Sequence, residues 1–165
     1  MDHVIAKSAG AAKGMKARIE GLHGVFATLA TQHGEAGQLI KTIQANDKKR
    51  ADLWPDLRAA LIAHERGEVR SVYPELMRLP ETRAFAEQHD REANQLEQLI
   101  QRLDATEITS AAWGKLFDEL AAKVTDHVQE EEGTIFPAAQ DALGATRTKE
   151  LDAKFKAAHD AAKPH

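Results

Sequence analysis

Val124-Thr125-Asp126-His127-Val128-Gln129-Glu130-Glu131-Glu132-Gly133-Thr134-Ile135-Phe136-Pro137 places a histidine and a glutamate four residues apart, one helical turn along a common face. An imidazole nitrogen and a carboxylate so placed can converge on one ion. The same arrangement occurs earlier, in His64-Glu65-Arg66-Gly67-Glu68-Val69-Arg70-Ser71-Val72-Tyr73-Pro74. Glu68 follows His64 as Glu131 follows His127, and Tyr73-Pro74 stands where Phe136-Pro137 stands in the later copy. Two copies of H-x-x-x-E-x(4)-aromatic-Pro point to an internal duplication in which two helices each deliver one His and one Glu.

The surrounding composition is that of a helical protein. The chain has 165 residues, enough for one domain with a full core, taken as 1–165 with the bundle over about 16–143. Its apolar residues are mostly Ala and Leu, with Lys, Arg, Glu and Gln filling the rest. A net charge of −4 with interspersed signs provides no basic stripe for nucleic acid and no polybasic patch for a membrane. No apolar run reaches the length of a membrane span, and Met1-Asp2-His3-Val4 begins no signal peptide, so a cytoplasmic protein is expected. The absence of cysteine excludes disulfides, thiolate metal sites and cysteine nucleophiles. Metal ligands must then come from His and carboxylates.

Reading outward from the repeats gives four long helices. The first, about 12–45, carries Ile19, Leu22, Phe26, Leu29, Ala36, Ile40 and Ile43 on one stripe, with His33 in phase. The second, about 48–77, has Leu53, Leu57, Leu61, His64, Glu68 and Val72 facing inward, tolerates Pro55 near its start, and should bend or end at Pro74. The third, about 81–104, reads Phe85, His89, Glu92, Ala93, Leu96, Leu99 and Leu103. The fourth starts at a Thr109 or Ser110 cap and runs to Leu143 through Trp113, Leu120, Val124, His127, Glu131 and Ile135, with Gly144 as its stop. A last helix, about 148–162, should pack across one end through Leu151 and Phe155. The fold class is all-α: an up-down-up-down four-helix bundle with an additional short C-terminal helix.

The levels agree. At 1.5 Å per residue His33 lies roughly 18 Å from the first turn of the bundle and His64 roughly 24 Å, while His89 and His127 lie roughly 22 and 25 Å from the opposite turn. All four histidines thus share one layer. A single inward histidine is ordinarily a core residue bonded to a carbonyl. If about three positions in seven face the core, four histidines all do so by chance in roughly three cases per hundred. Buried Glu68 and Glu131 would each cost several kcal/mol as bare ions, and a cation removes that cost. His3, His23, His159 and His165 fall out of phase or near the termini and are expected at the surface. Glu65, Glu130 and Glu132 sit one position off the inward phase and are expected on a solvated acidic edge. Tyr73 is the single tyrosine, a packing residue that could also reach the ligand groups.

His33, His64-x-x-x-Glu68, His89 and His127-x-x-x-Glu131, with Tyr73-Pro74 and Phe136-Pro137, resemble the hemerythrin-like HHE cation-binding domain over about Gly21 to Leu143. The resemblance implies two Fe ions in a carboxylate-bridged di-iron centre, with the histidines as terminal ligands and Glu68 and Glu131 as bridges. It further implies a non-haem protein that reacts with or senses O2, peroxide or NO, or handles iron. The alternative is a metal-stabilised structural or signalling module without turnover. Oxygen-carrying members have a further histidine where this chain has Ala93, and their second carboxylate follows its histidine by five. The missing imidazole leaves a position for water, an exogenous ligand or Glu92, and it speaks against reversible oxygen carriage. A mononuclear zinc hydrolase would leave several of these ligands unused.

Overall fold

The computed structural model describes residues 1–19 and 21–164, with the side chains of 15 and 17–19 left aside. The expected burial of Ile19 and the expected surface position of His165 lie outside the described residues. The elements are α1 (Asp2–Ile19), α2 (Val25–Ala45), α3 (Arg50–Ser71), α4 (Tyr73–Arg78), α5 (Arg83–Asp104), α6 (Ala111–Glu130), α7 (Phe136–Leu143) and α8 (Ala145–Ala162). A 3₁₀ turn (Asp47–Lys49) leads into α3, and one turn of π-helix (Glu131–Ile135) joins α6 to α7. The all-α class holds, and among the described residues no helix is long and apolar enough to cross a membrane.

The two apolar clusters fix the bundle's direction. One gathers Ile40 and Ile43 of α2, Leu53 and Leu57 of α3, Leu99 and Leu103 of α5, and Trp113 and Phe117 of α6. The other gathers Phe26 and Leu29 of α2, Val72 after α3, Ala86 of α5, and Ile135 and Phe136 after α6. Chain order between the clusters reverses from each helix to the next, which is the up-down-up-down arrangement. On every helix the histidine falls between the two clusters, so His33, His64, His89 and His127 form the expected layer.

Local chemistry sets the helix ends. Ser110 accepts a hydrogen bond from the Trp113 N–H at 3.1 Å, capping α6, and Asn46 accepts from Lys48 N–H at 3.1 Å at the α2–α3 turn. In both repeats the proline lies in the first turn of a new short helix, where its missing N–H leaves no bond unmade. The second copy adds the π turn, which takes in one more residue per turn at the level of Glu131.

Two expectations are corrected. The first helix does not run from 12 to 45: Gly21 (φ 96°) and Gly24 (φ 56°) adopt left-handed backbone, which ends one helix and turns the chain into the next. The residues before the break form α1, a full helix packed along α2. Its approach is close, since a Cβ on Gly14 would stand 2.0 Å from Thr31 Oγ1. The second long helix divides at Val72 into α3 and α4, the bend expected at Pro74. Finally, α8 lies along α3 instead of across one end, so near that a Cβ on Gly67 would stand 2.8 Å from the Phe155 ring.

Candidate metal centre

Packing α2, α5 and α8 around α3 buries that helix on most sides: Leu61, Ile62, Ala63, His64, Glu65, Gly67, Glu68 and Ser71 are all buried. This breadth explains the main error of the sequence reading. Glu65, expected on a solvated edge, is 5% exposed and aims its carboxylate at His89 and His127. An inward sector of three positions in seven does not apply to a helix that has neighbours on most sides.

Seven side chains meet at the histidine layer. Donor atoms of His33, His64, Glu68 and Glu131 lie within 4.8 Å of one another, as do those of Glu65, Glu68, His89 and His127. Glu68 belongs to both groups. Its Oε2 lies 3.5 Å from His64 Nε2 and 3.2 Å from His89 Nε2. Glu131 also spans them, with Oε1 2.8 Å from His127 Nε2 and 3.4 Å from His33 Nε2. Each repeat therefore places its glutamate between two histidines. All six residues singled out in the sequence are brought together, and Glu65 makes a seventh.

The outer nitrogens of the rings are held from behind. His33 Nδ1 lies 2.8 Å from Glu132 Oε1, His64 Nδ1 2.8 Å from Gln32 Oε1, and His127 Nδ1 3.1 Å from Glu92 Oε2. Such contacts fix the ring and direct the other nitrogen, Nε2, toward the centre. Glu92, considered in the sequence as a replacement ligand, is instead one of these outer partners. It also accepts a hydrogen bond from Gln88 Nε2 at 2.6 Å. Glu132 is likewise no solvated edge residue: it links His33 to α1 through Lys13 at 3.1 Å. Glu130 makes none of these contacts. Tyr73 Oη donates to Glu131 Oε2 at 2.7 Å, and its ring lies flat on His89; Phe136, its counterpart in the other repeat, lies flat on His33.

Among the other histidines, His3 is exposed beside Asp56 at 3.2 Å. His159 is half-buried near Asp160. His23 is not a free surface residue: its Nδ1 lies 3.0 Å from Thr148 Oγ1 and its N–H donates to Gln140 Oε1 at 2.9 Å, tying the break before α2 to α7 and α8.

The electrostatics are those of a site built for positive charge. Burial lowers the His33, His89 and His127 imidazoles, but bonding to carboxylates outweighs it. Glu131 and Glu132 lift His33 to about 9, Glu65 and Glu68 lift His89 to about 10, and Glu131 and Glu92 lift His127 to about 12. His64 goes the other way, down to about 3, through burial and the neighbouring His33. Burial and the nearby Glu131 raise Glu68 to about 8. Burial also opposes ionisation of Glu131, yet His127 and His33 hold it well below the usual carboxylate range. Protons on these histidines thus supply cationic charge that a metal would otherwise supply.

Geometry tests the fit to a cation. Glu65 Oε2, Glu68 Oε1, Glu131 Oε1 and His127 Nε2 are buried without a hydrogen-bond partner, although His127 Nε2 and Glu131 Oε1 lie only 2.8 Å apart. That pair is close but poorly aligned for a hydrogen bond. Nitrogen and oxygen donors that converge in a buried layer and leave several of their atoms without a hydrogen bond suit a metal ion. Imidazole and carboxylate donors without thiolate suit first-row ions such as iron.

Comparison with known proteins agrees. The chain is 28% identical over 116 residues to a protein named DNA nickase from Nostoc sp. (strain PCC 7120 / SAG 25.82 / UTEX 2576), a match covering 70% of this chain and 33% of that protein. The chain therefore spans about a third of that relative's length. No solved structure matches the chain. The model of the hemerythrin HHE cation binding domain matches residues 24–139, a stretch that contains all seven residues of the centre, and the chain belongs to this family of cation-binding domains.

Proposed function

We propose that the chain holds two iron ions and uses them to react with or sense O2, peroxide or NO, or to handle iron. In this reading His33 and His64 hold one ion and His89, His127 and Glu65 the other, while Glu68 and Glu131 serve both. The observation that carries it is the set of buried oxygens on Glu65, Glu68 and Glu131 that lie close to imidazole nitrogens without a hydrogen bond to satisfy them. Bare buried carboxylates cost several kcal/mol each, which a pair of cations removes.

A pair of ferrous ions supplies up to two electrons to a small oxidant. The chain's own part is positional. Gln32, Glu92 and Glu132 set the imidazole rings, and Tyr73 holds Glu131. A net charge of −4 favours a small molecule over nucleic acid or an anionic membrane as the ligand, and we place the protein in the cytoplasm.

The test is elemental analysis of protein produced with iron and washed with a weak chelator. Close to two irons per chain are expected. One zinc per chain, or no metal, would sink the proposal. A second reading, a module whose fold reports metal occupancy, draws on the Lys13–Glu132–His33 chain that connects the centre to α1. In that case removing metal should free α1 to proteolysis while no oxidant is consumed.

A further inference from the structure

A cavity of about 580 Å³ opens beside the histidine layer, with His33, His64, Glu65 and His127 in its wall. Much of the remaining wall is apolar, with alanines among leucines: Ala36 and Leu39 of α2, Ala59, Leu61 and Ala63 of α3, and Leu96 of α5. One turn farther into the core the same helices carry Ile40, Leu57 and Leu99, which close the space. The cavity thus exists because alanines stand at the level next to the centre. Cavities of roughly 300–1,000 Å³ enclose organic molecules of drug size, whereas O2, NO and hydrogen peroxide need far less room.

The charge of the wall limits the head group. Apart from Glu65 and Glu92, which face His127, the carboxylates of Glu35, Asp56, Asp126 and Glu130 line the cavity and its margins against Lys7, Lys123 and Lys163. Lys163 is already paired with Asp160 at 3.0 Å, which leaves Lys7 and Lys123 as the cations facing those four carboxylates. An anionic amphiphile such as a fatty acid would meet this surplus of carboxylates. A neutral molecule would not.

Resting on the two-iron reading above, we infer that the oxidant this centre takes is a neutral organic hydroperoxide with an apolar tail. The tail lies in the alanine-walled cavity, and the O–O group reaches the face made by His64, Glu65 and His127. In the reaction the O–O bond of ROOH breaks, taking one electron from each of two ferrous ions and two protons from solvent. The products are the alcohol ROH and water, with two ferric ions left behind.

The test uses two measurements on the full chain. In the first, 1-decanol, an inert analogue of the product, and decanoate are titrated calorimetrically into the protein before and after iron loading. In the second, the anaerobic ferrous protein is mixed with decyl hydroperoxide or hydrogen peroxide and its oxidation followed by stopped flow. Decanol should bind at least tenfold more tightly than decanoate, and decyl hydroperoxide should oxidise the protein at least tenfold faster than hydrogen peroxide. Ala36→Leu and Ala59→Leu, made separately so that one misfolded variant does not decide the matter, should each weaken decanol binding at least tenfold. They should lower the ratio of the two oxidation rates by a similar factor. Equal rates with the two peroxides, equal binding of decanoate, or no decanol binding would overturn the inference. Metal analysis separates the two readings: two irons without decanol binding leaves the centre and removes the hydroperoxide, whereas absence of iron removes both.

Discussion

Tyr73 lies flat against His89, ring centroids 3.5 Å apart and 11° from parallel, while its hydroxyl reaches across to Glu131. One residue of the first repeat thereby positions a histidine of α5 and a carboxylate of the second repeat. Tyr73→Phe keeps the stacking and deletes the hydrogen bond. Hydrogen bonds to charged groups contribute about 1.5–3 kcal/mol, so a loss in that range is expected in urea unfolding. Tyr73→Leu should cost more, because the stacked ring goes as well. Equal stability of Tyr73→Phe and the unmodified protein would show that the hydroxyl contributes nothing to holding Glu131.

Glu65 and Glu92 exchange the roles their sequence positions suggest, and metal content can tell them apart. Glu65 Oε2 stands 3.4 Å from His89 Nε2 at the centre, while Glu92 touches His127 only at the outer Nδ1. Glu65→Ala should retain about one iron per chain. Glu92→Ala should keep both and bind them roughly 10–100-fold more weakly, the usual cost of losing an outer partner. The reverse result would return Glu92 to the ligand set.

Glu131 approaches histidines of both groups, His33 and His127. Glu131→Ala should therefore lose both metals, whereas His33→Ala should keep partial occupancy. Glu130→Ala, outside the centre, should be neutral. Similar modest losses from Glu131→Ala and His33→Ala would argue that Glu131 serves one ion alone.

The legible part of the fold was whatever a three-and-four spacing on one stripe can report. His33, His64, His89 and His127 fell in phase with Leu and Ile, and chain reversal did the rest. Glu65 was hidden because phase locates one buried stripe, and α3 has neighbours on most sides, including α8 against Gly67. Its signal was local: Glu65 and Glu68 are three residues apart on one face, whereas the second repeat has Val128 after His127. The break before α2 was likewise written in Gly21 and Gly24, which an apolar stripe continuing from Leu22 to Phe26 concealed. The role of Glu132 needed α1 in place, since Lys13 holds it from the other side.

Metal-free protein should lose stability as pH rises above 6.5. His33, His89 and His127 have folded-state values of about 9, 10 and 12, above the 6.5 of the unfolded chain. The folded state thus holds protons that the unfolded state has released, and the stability they contribute is fully present below 6.5 and is lost as pH passes the folded values. Glu68, raised from 4.5 to about 8, acts in the same direction at lower pH. His64, lowered to about 3, opposes them only below 6.5. Metal binding displaces these protons, so the loaded protein gains from the same rise in pH. The difference in Tm between loaded and metal-free protein should therefore widen from pH 6.5 to 9, read by differential scanning calorimetry. A metal-free Tm that climbs over this range would contradict the assignment.

The last expectation concerns Ala93, where oxygen-carrying relatives of the resemblance would have a histidine. Ala93 follows His89 by four on α5 and is half-buried, so an imidazole there would lie one turn along the same face. In the unmodified protein Glu65 reaches His89 from α3, so Ala93→His alone should gain no metal and could cost roughly 1–3 kcal/mol through overpacking. Removing the carboxylate changes the outcome. Glu65→Ala combined with Ala93→His should regain the iron that Glu65→Ala loses, because a neutral nitrogen donor replaces the oxygen donor and the space for it has been cleared. With one anionic ligand fewer, the regained centre should also have a higher reduction potential than the original, measurable by redox titration. Failure of the double substitution to exceed Glu65→Ala in iron content, with helicity intact by circular dichroism, would show that Glu65 and the residue at 93 do not address the same ion.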